Sequence, residues 1–245
     1  MTIPYQTLDV PNDPTPWVIV EPSEQKEWAV LWLQGWGSTI EGHYEKIQFL
    51  AKESDITFGM IDYAGFGQHS MPLEETTREQ QHLEVVAAYD ALKTRGYKNI
   101  VVIGNSFGSY MSALLADKRE LAAIVLRAPA IYDDAEFTMK QKDRDDVAYQ
   151  AFKETVQPDS QLAPLQTIRD YNGPVWVFEH GADTVIPPNI PKSYFANTQR
   201  GSYLYIPGAP HSPNMLLEPR KYNEYIWTAI LDTLEMIQLQ QTLKL

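Results

Sequence analysis

Two apolar rhythms alternate along the chain. Short runs at Ala29–Gln34, Ile56–Asp62, Asn99–Gly104, Ala122–Arg127, Pro174–Glu179 and Ser202–Ile206 are rich in β-branched residues, and several are apolar almost throughout. Strands covered by helices on both faces of a parallel sheet have that composition. Between the runs the period becomes helical. Val85, Ala88, Tyr89 and Leu92 recur at i, i+3, i+4 and i+7, and Gly96 supplies a stop. The last helical stretch opens at Pro219, a residue suited to a first helical position. It carries Tyr222, Ile226, Ile230, Thr233 and Ile237 as its stripe. Such alternation predicts a doubly wound α/β fold with right-handed crossovers. Near the N-terminus, Tyr5–Glu21 is interrupted by Pro11, Asn12, Asp13 and Pro14, which predicts an antiparallel hairpin leading into the sheet.

The rhythm breaks between Pro129 and Asn172. No strand pattern occurs there, and Lys140, Lys142, Asp143, Arg144, Asp145 and Asp146 crowd together. A charged helical face in water accounts for the charges. A connection this long inside a compact domain usually has a function, and a small helical lid over the carboxyl edge of the sheet would be one.

The 245 residues suit a single domain, 1–245, with the lid insertion at about 130–172. The formal charge is −12, so the surface repels phosphate backbones and no nucleic-acid partner is expected. There is no cysteine, which removes disulfides, thiolate metal sites and a cysteine nucleophile. No apolar run reaches the roughly 18 residues of a membrane span, and no membrane partner is expected. The start, Met1-Thr2-Ile3-Pro4-Tyr5, lacks the basic and apolar regions of a secretory signal, so a cytoplasmic protein is expected. The oligomeric state is left open.

Chemistry gathers at Gly104-Asn105-Ser106-Phe107-Gly108, between a strand pattern and the helix pattern Tyr110–Ala116. A lone G-x-S-x-G is weak; its strand–turn–helix context gives it force. A serine on a tight strand-to-helix turn needs minimal neighbours two residues away on either side, because the backbone there is strained and closely packed. The turn lifts Oγ clear of the sheet and aims the Phe107 amide toward a developing oxyanion. A serine hydroxyl also needs a base. Among five histidines, His43 and His82 lie in helical patterns and read as surface or packing residues, His69 falls in a loop after Asp62, and His180 ends a strand where packing is expected. His211 lies on a loop just past the last strand, at the edge that carries Ser106. Asp183 is the first carboxylate on the loop after Pro174–Phe178, and Asp133 or Asp134 are the alternatives. Ser106, Asp183 and His211 in that order match one of the convergent triads. A metal held by His180, Asp183 and His211 has no tight ligand spacing behind it. There is no P-loop motif, and no G-x-G-x-x-G opens a helix. Trp36 sits beside the predicted site and is a candidate wall of an acyl pocket.

From about Ala29 to the last helix the chain resembles the α/β-hydrolase superfamily. The matching pieces, in order, are Leu33-Gln34-Gly35-Trp36-Gly37-Ser38, Asp62–Ser70, Gly104–Gly108, His180–Pro187 and Gly208-Ala209-Pro210-His211-Ser212. The resemblance implies a mostly parallel sheet of about eight strands and a lid between the sixth and seventh. It implies Ser106 as nucleophile, His211 as base, Asp183 as acid, and the backbone amides of Trp36 and Phe107 as the oxyanion hole. The family commonly has His-Gly where this chain has Gln34-Gly35; Gln34 can still bond locally, and Ser38 offers a further hydroxyl. The implied function is a serine hydrolase, foremost a carboxylesterase acting on uncharged small-molecule esters through an acyl-enzyme, with no metal or organic cofactor. A thioesterase or amidase would use the same residues. A haloalkane dehalogenase would need a carboxylate where Ser106 stands. A ligand-binding protein of this fold would keep the triad but turn over little. For the lid, Val147, Ala148, Phe152 and Val156 predict an amphipathic helix over about Asp145–Val156 that turns these residues down onto Ser106.

Overall fold

The computed structural model describes residues 2–10, 13–212 and 219–243. Within them one sheet holds eight strands: β1 (Gln6–Leu8), β2 (Thr15–Val20), β3 (Trp28–Leu33), β4 (Thr57–Ile61), β5 (Asn99–Asn105), β6 (Ala123–Arg127), β7 (Pro174–His180) and β8 (Arg200–Ile206). Their spatial order is β1-β2-β4-β3-β5-β6-β7-β8. Strands β3 to β8 run parallel, and β1 and β2 form the antiparallel hairpin, joined to β4 through β2. The helices are α1 (Ile40–Ser54), α2 (Arg78–Thr94), α3 (Phe107–Lys118), α4 (Asp146–Thr155), α5 (Ala163–Asp170), α6 (Asn189–Ala196) and α7 (Pro219–Leu243). Threonines start two of them: Thr39 Oγ1 accepts from Gly42 N in α1, and Thr77 Oγ1 from Gln80 N in α2. Among the described residues no helix is long and apolar enough to cross a membrane.

The strands read as apolar throughout because each feeds two cores. Ala29, Leu31, Leu33, Ile124 and Leu126 point into one layer, with Val85 of α2, Met111 of α3, Leu165 of α5 and Ile190 of α6. Their neighbours Trp28, Val30, Trp32, Ala123 and Val125 point into the other, with Ile47 of α1 and Ile230 and Ile237 of α7. Period-two alternation under two helical layers leaves no polar face on the inner strands. The chain leaves β3 toward β4 on one side and returns to β5 on the other. The carboxyl ends of β3 and β5 therefore part into a crevice, the place where open α/β sheets bind ligands.

The connection from β6 to β7 is helical. It contains 3₁₀ turns at Asp134–Glu136 and Gln141–Asp143, then α4 and α5. Leu165 and Ile168 of α5 are buried in the main core, so α5 packs beside the sheet rather than over the crevice. The structure also corrects the expected face of α4. Val147 is 78% exposed and Ala148 is exposed, whereas Tyr149, Phe152, Lys153 and Val156 face inward. Two amphipathic side chains set this rotation. Tyr149 stacks on Tyr132 with centroids 4.9 Å apart, and the Lys153 ammonium donates to Val185 O at 2.5 Å while its stem is buried. Phe152 packs against the core and is absent from the cavity wall described next.

Candidate active site

Ser106 sits between β5 and α3 at φ 51°, ψ −112°. A non-glycine residue at positive φ is strained, and its surroundings must impose the conformation. Here close packing does so. A Cβ on Gly108 would lie 2.0 Å from Leu33 O, and one on Gly104 would lie 2.4 Å from Gly108 O. Hydrogen atoms at these two positions let the first turn of α3 press against β3 and β5. Ser106 N donates to Arg127 O at 2.9 Å, Ala130 N donates to Ser106 O at 3.2 Å, and Ser109 Oγ donates to Gly104 O at 2.8 Å.

The loops after β7 and β8 bring Asp183 and His211 to this turn. His211 Nε2 lies 3.0 Å from Ser106 Oγ, and Nδ1 lies 2.7 Å from Asp183 Oδ2. Asp183 Oδ1 accepts from Val185 N at 2.8 Å and Ile186 N at 2.9 Å. Burial pushes the Asp183 carboxyl up, but the His211 hydrogen bond and charge, with the two amides, outweigh it and hold the group below its ordinary value. An ionised Asp183 keeps the imidazole proton on Nδ1 and leaves Nε2 free to accept the serine proton. The alternative acids are engaged elsewhere: Asp133 accepts from Ala135 N at 2.9 Å and Asp134 from Ala163 N at 2.8 Å.

Phe107 opens α3, so its N–H is one of the amides at a helix start without an intrahelical acceptor. Trp36 lies in the turn closed by Ser38 N donating to Gly35 O at 3.1 Å, and Gly35 passes directly against Ser106. The Trp36 ring meets Phe66 and Phe107 edge-on, with centroids 4.9 and 5.1 Å away. Gln34, in place of the commoner histidine, is fully buried and donates through Nε2 to Ile61 O, which ties the β3 loop to β4.

Ser106, His211, Trp36 and Ser38 open onto a cavity of about 630 Å³ that Tyr132, Tyr149 and Ile186 also line. Sequence reasoning missed much of its wall. Arg127, at the end of β6, donates through Nη1 to Asn105 Oδ1 at 2.5 Å and through Nε to His180 Nε2 at 3.3 Å. Its Nη2 lies 3.5 Å from His211 O. His180 donates from Nδ1 to Pro210 O at 2.6 Å, so the residue preceding His211 is pinned. Burial, with Arg127 beside it, pushes His180 down to about 3 and keeps it neutral for this double role. His180 thus braces the His211 loop rather than merely packing. His43, read as a surface or packing residue, lines the cavity with Lys46, Arg78 and Arg144. A charge ending an otherwise apolar strand was the one signal that could have singled out Arg127.

Asp13, His69 and Glu84 form a buried cluster whose nearest nitrogen and oxygen atoms lie within 4.8 Å of one another. Their proton arrangement does not suit a metal. His69 Nδ1 accepts from Met71 N at 3.1 Å, which leaves the imidazole proton on Nε2, 3.0 Å from Asp13 Oδ1. A metal on Nε2 would need that proton on Nδ1, facing an acceptor. Burial pushes Glu84 well up, which favours its neutral form.

A profile of the alpha/beta hydrolase fold matches residues 29–220. The chain belongs to that family. This alpha/beta hydrolase is similar in structure to Est1E from Butyrivibrio proteoclasticus with ferulic acid bound, at TM-score 0.74 and 15% identity, covering 96% of this chain and 99% of that one. It is also similar to a monoacylglycerol lipase from Paleococcus ferrophilus, at TM-score 0.68 and 14% identity over 91% of this chain and 99% of that one. An esterase of Pyrococcus furiosus, Pf2001, gives TM-score 0.67 and 17% identity over 92% of this chain and 91% of that one. At such identities the likeness is one of fold. No curated protein sequence matches this alpha/beta hydrolase.

Proposed function

We propose that this alpha/beta hydrolase is a serine esterase that cleaves carboxylic esters through an acyl-enzyme. One observation carries the reading: an unbroken chain from Ser106 Oγ to His211 (3.0 Å) to Asp183 (2.7 Å), with Ser106 and His211 lining a cavity. His211 Nε2 takes the serine proton as Oγ attacks the carbonyl carbon, and the ionised Asp183 stabilises the imidazolium that forms. The amides of Trp36 and Phe107 receive the tetrahedral oxyanion. Collapse breaks the ester C–O bond, and the imidazolium returns its proton to the departing alkoxide. A water then gives its proton to His211 and attacks the acyl carbon. The acid leaves, and Ser106 is reprotonated. The names of the similar structures, an esterase and a lipase among them, agree with this class.

A fluorophosphonate probe tests it, since the probe phosphonylates only an activated serine. The wild-type protein labels, Ser106→Ala does not, and both melt at similar temperatures. Turnover of short carboxylic esters followed by pH-stat accompanies labelling. An unlabelled, folded wild-type protein would overturn the reading. Matched ester, thioester and amide substrates then rank the leaving groups, with the ester expected fastest.

A further inference from the structure

The chain carries a formal charge of −12, yet its catalytic cavity is walled by Lys46, Arg78, Arg127 and Arg144. These cations differ in how they are answered. At the lid end, Arg78 Nη1 pairs with Glu136 at 2.9 Å, and the same carboxylate favours the charge of Arg144, whose guanidinium donates to Gln141 Oε1 at 2.6 Å and Met139 O at 2.9 Å. The other two, Lys46 and Arg127, line the wall with Ser38, Asn105 and the neutral ring of His43, and Arg127 is near enough to oppose the charge of Lys46. Lys46 Nζ has one polar partner among the described residues, His43 Nδ1 at 3.3 Å, and lies 5.9 Å from the Trp227 ring. Arg127 is hydrogen-bonded to the neutral acceptors Asn105, His180 and the His211 carbonyl. The carboxylate that favours its charge, Asp183, is already held by His211 and two amides.

Withdrawing a cation from water is costly unless an anion meets it, and two repelling cations double the difficulty. Burial and the nearby Arg127 push Lys46 down to about 8, and burial pushes Arg127 down to about 10, so both stay charged at neutral pH. A fold retains such a pair where its counter-charge arrives with the ligand.

Resting on the esterase reading above, we propose that the substrate is a carboxylate-bearing ester, such as the monoester of a short dicarboxylic acid, whose free carboxylate is held by Lys46 and Arg127. The sequence pointed instead to an uncharged ester, and the two substrates differ in the test that follows. Lys46 reaches the carboxylate with a mobile ammonium, while Arg127 presents a guanidinium already fixed by Asn105 and His180. A neutral ester of equal length would leave both cations unanswered.

The test compares monoethyl glutarate with ethyl hexanoate, by pH-stat turnover and by their protection of Ser106 from the fluorophosphonate probe. The anionic ester is expected to win by roughly ten- to hundredfold in kcat/KM, the range of a charge-assisted hydrogen bond. That ratio should collapse in Lys46→Met, recover in part in Lys46→Arg, and shrink as salt is raised. Equal turnover and equal protection by the two esters in a protein that labels would overturn the proposal while leaving the esterase reading intact. A Lys46→Met variant that loses both esters in the same proportion would also overturn it, since Lys46 would then serve the oxyanion or the fold. A wild-type protein that does not label at all would instead remove the esterase reading beneath it.

Discussion

Residues Gly104–Gly108 and the helical connection between β6 and β7 border one cavity, but different forces hold them. The serine turn is fixed by backbone: a Cβ at Gly108 would sit 2.0 Å from Leu33 O, and Ser106 N is bonded to Arg127 O at 2.9 Å. The connection is fastened largely by side chains that reach out of it. Lys140 and Lys142 converge on Glu75 at 2.7 and 2.6 Å, and Lys153 reaches Val185 O at 2.5 Å. Two backbone bonds, Glu79 N to Phe137 O and Gln141 N to Thr76 O, tie its early part to the loop and helix before β5. The difference separates two tasks. Bond-breaking geometry needs atoms held to a fraction of an ångström, which steric exclusion supplies. Selectivity needs a wall whose shape can differ without unfolding the sheet, which long side chains supply.

The sharpest break in that comparison is chemical. His211→Ala should lower ester turnover by roughly 10³–10⁶ with little change in melting temperature, because triad members act as a unit. Steady-state kinetics beside a thermal melt checks both halves. If turnover fell by less than about tenfold, the 3.0 Å contact to Ser106 would not be the working one.

The next effect is steric. Gly108→Ala should destabilise the fold by about 3 kcal/mol or more, since the added carbon meets backbone rather than a side chain that can swing away. Urea unfolding measures it, and a near-neutral result would mean that α3 can slide on β3.

A third prediction lies where α2 meets the connection between β6 and β7. His82 of α2 is buried, with its ring 6.1 Å from Phe137 of the lid segment, and burial pushes it down to about 4. The folded protein keeps this ring neutral while the unfolded chain takes a proton below about 6.5, so stability falls as pH drops from about 6.5 toward 4. Glu84 and Asp62, pushed up by burial, act in the opposite direction. The measurement is therefore the difference between wild type and His82→Leu. The variant should lose roughly 1.4 kcal/mol per pH unit of that acid slope. Parallel stability curves for the two proteins would show that His82 gains its proton without unfolding.

The smallest effect belongs to the lid alone. Tyr149→Ala removes a cavity-lining ring that stacks on Tyr132, and should shift the ratio of short- to medium-chain ester turnover by up to about tenfold while Ser106 still labels. Phe152→Ala, which loses core packing instead, should lower stability and leave the ratio where it was. The reverse outcome would put the α4 stripe back where the apolar pattern had placed it.

Much of the fold was legible because its strands advertise themselves. Leu31 and Trp32 are apolar neighbours that face opposite cores, a pattern that a strand covered on both sides produces. The candidate site was legible for a related reason. Ser106, Asp183 and His211 each stand within a few residues of a strand end, and parallel strands bring all their carboxyl ends to one edge. The face of α4 was not legible. Hydropathy counts Lys153 as polar and Val147 as apolar, yet the lysine stem is buried and the valine is in water. The cationic wall was equally hidden, since Lys46, Arg78, Arg127 and Arg144 belong to four separate elements or loops and no local period links them.

The sequence by itself determined the layered sheet, the glycine-flanked serine turn and the order of the three residues gathered around it, because sterics and side-chain period act over a few neighbouring residues. Tertiary structure alone decided that Arg127 and His180 brace the His211 loop, that Tyr149 rather than Phe152 walls the cavity, and that Lys46 and Arg127 line it while hydrogen-bonded to neutral partners. Those outcomes depend on how far one side chain reaches across a gap between elements, and that distance exists only once the sheet has closed its two cores.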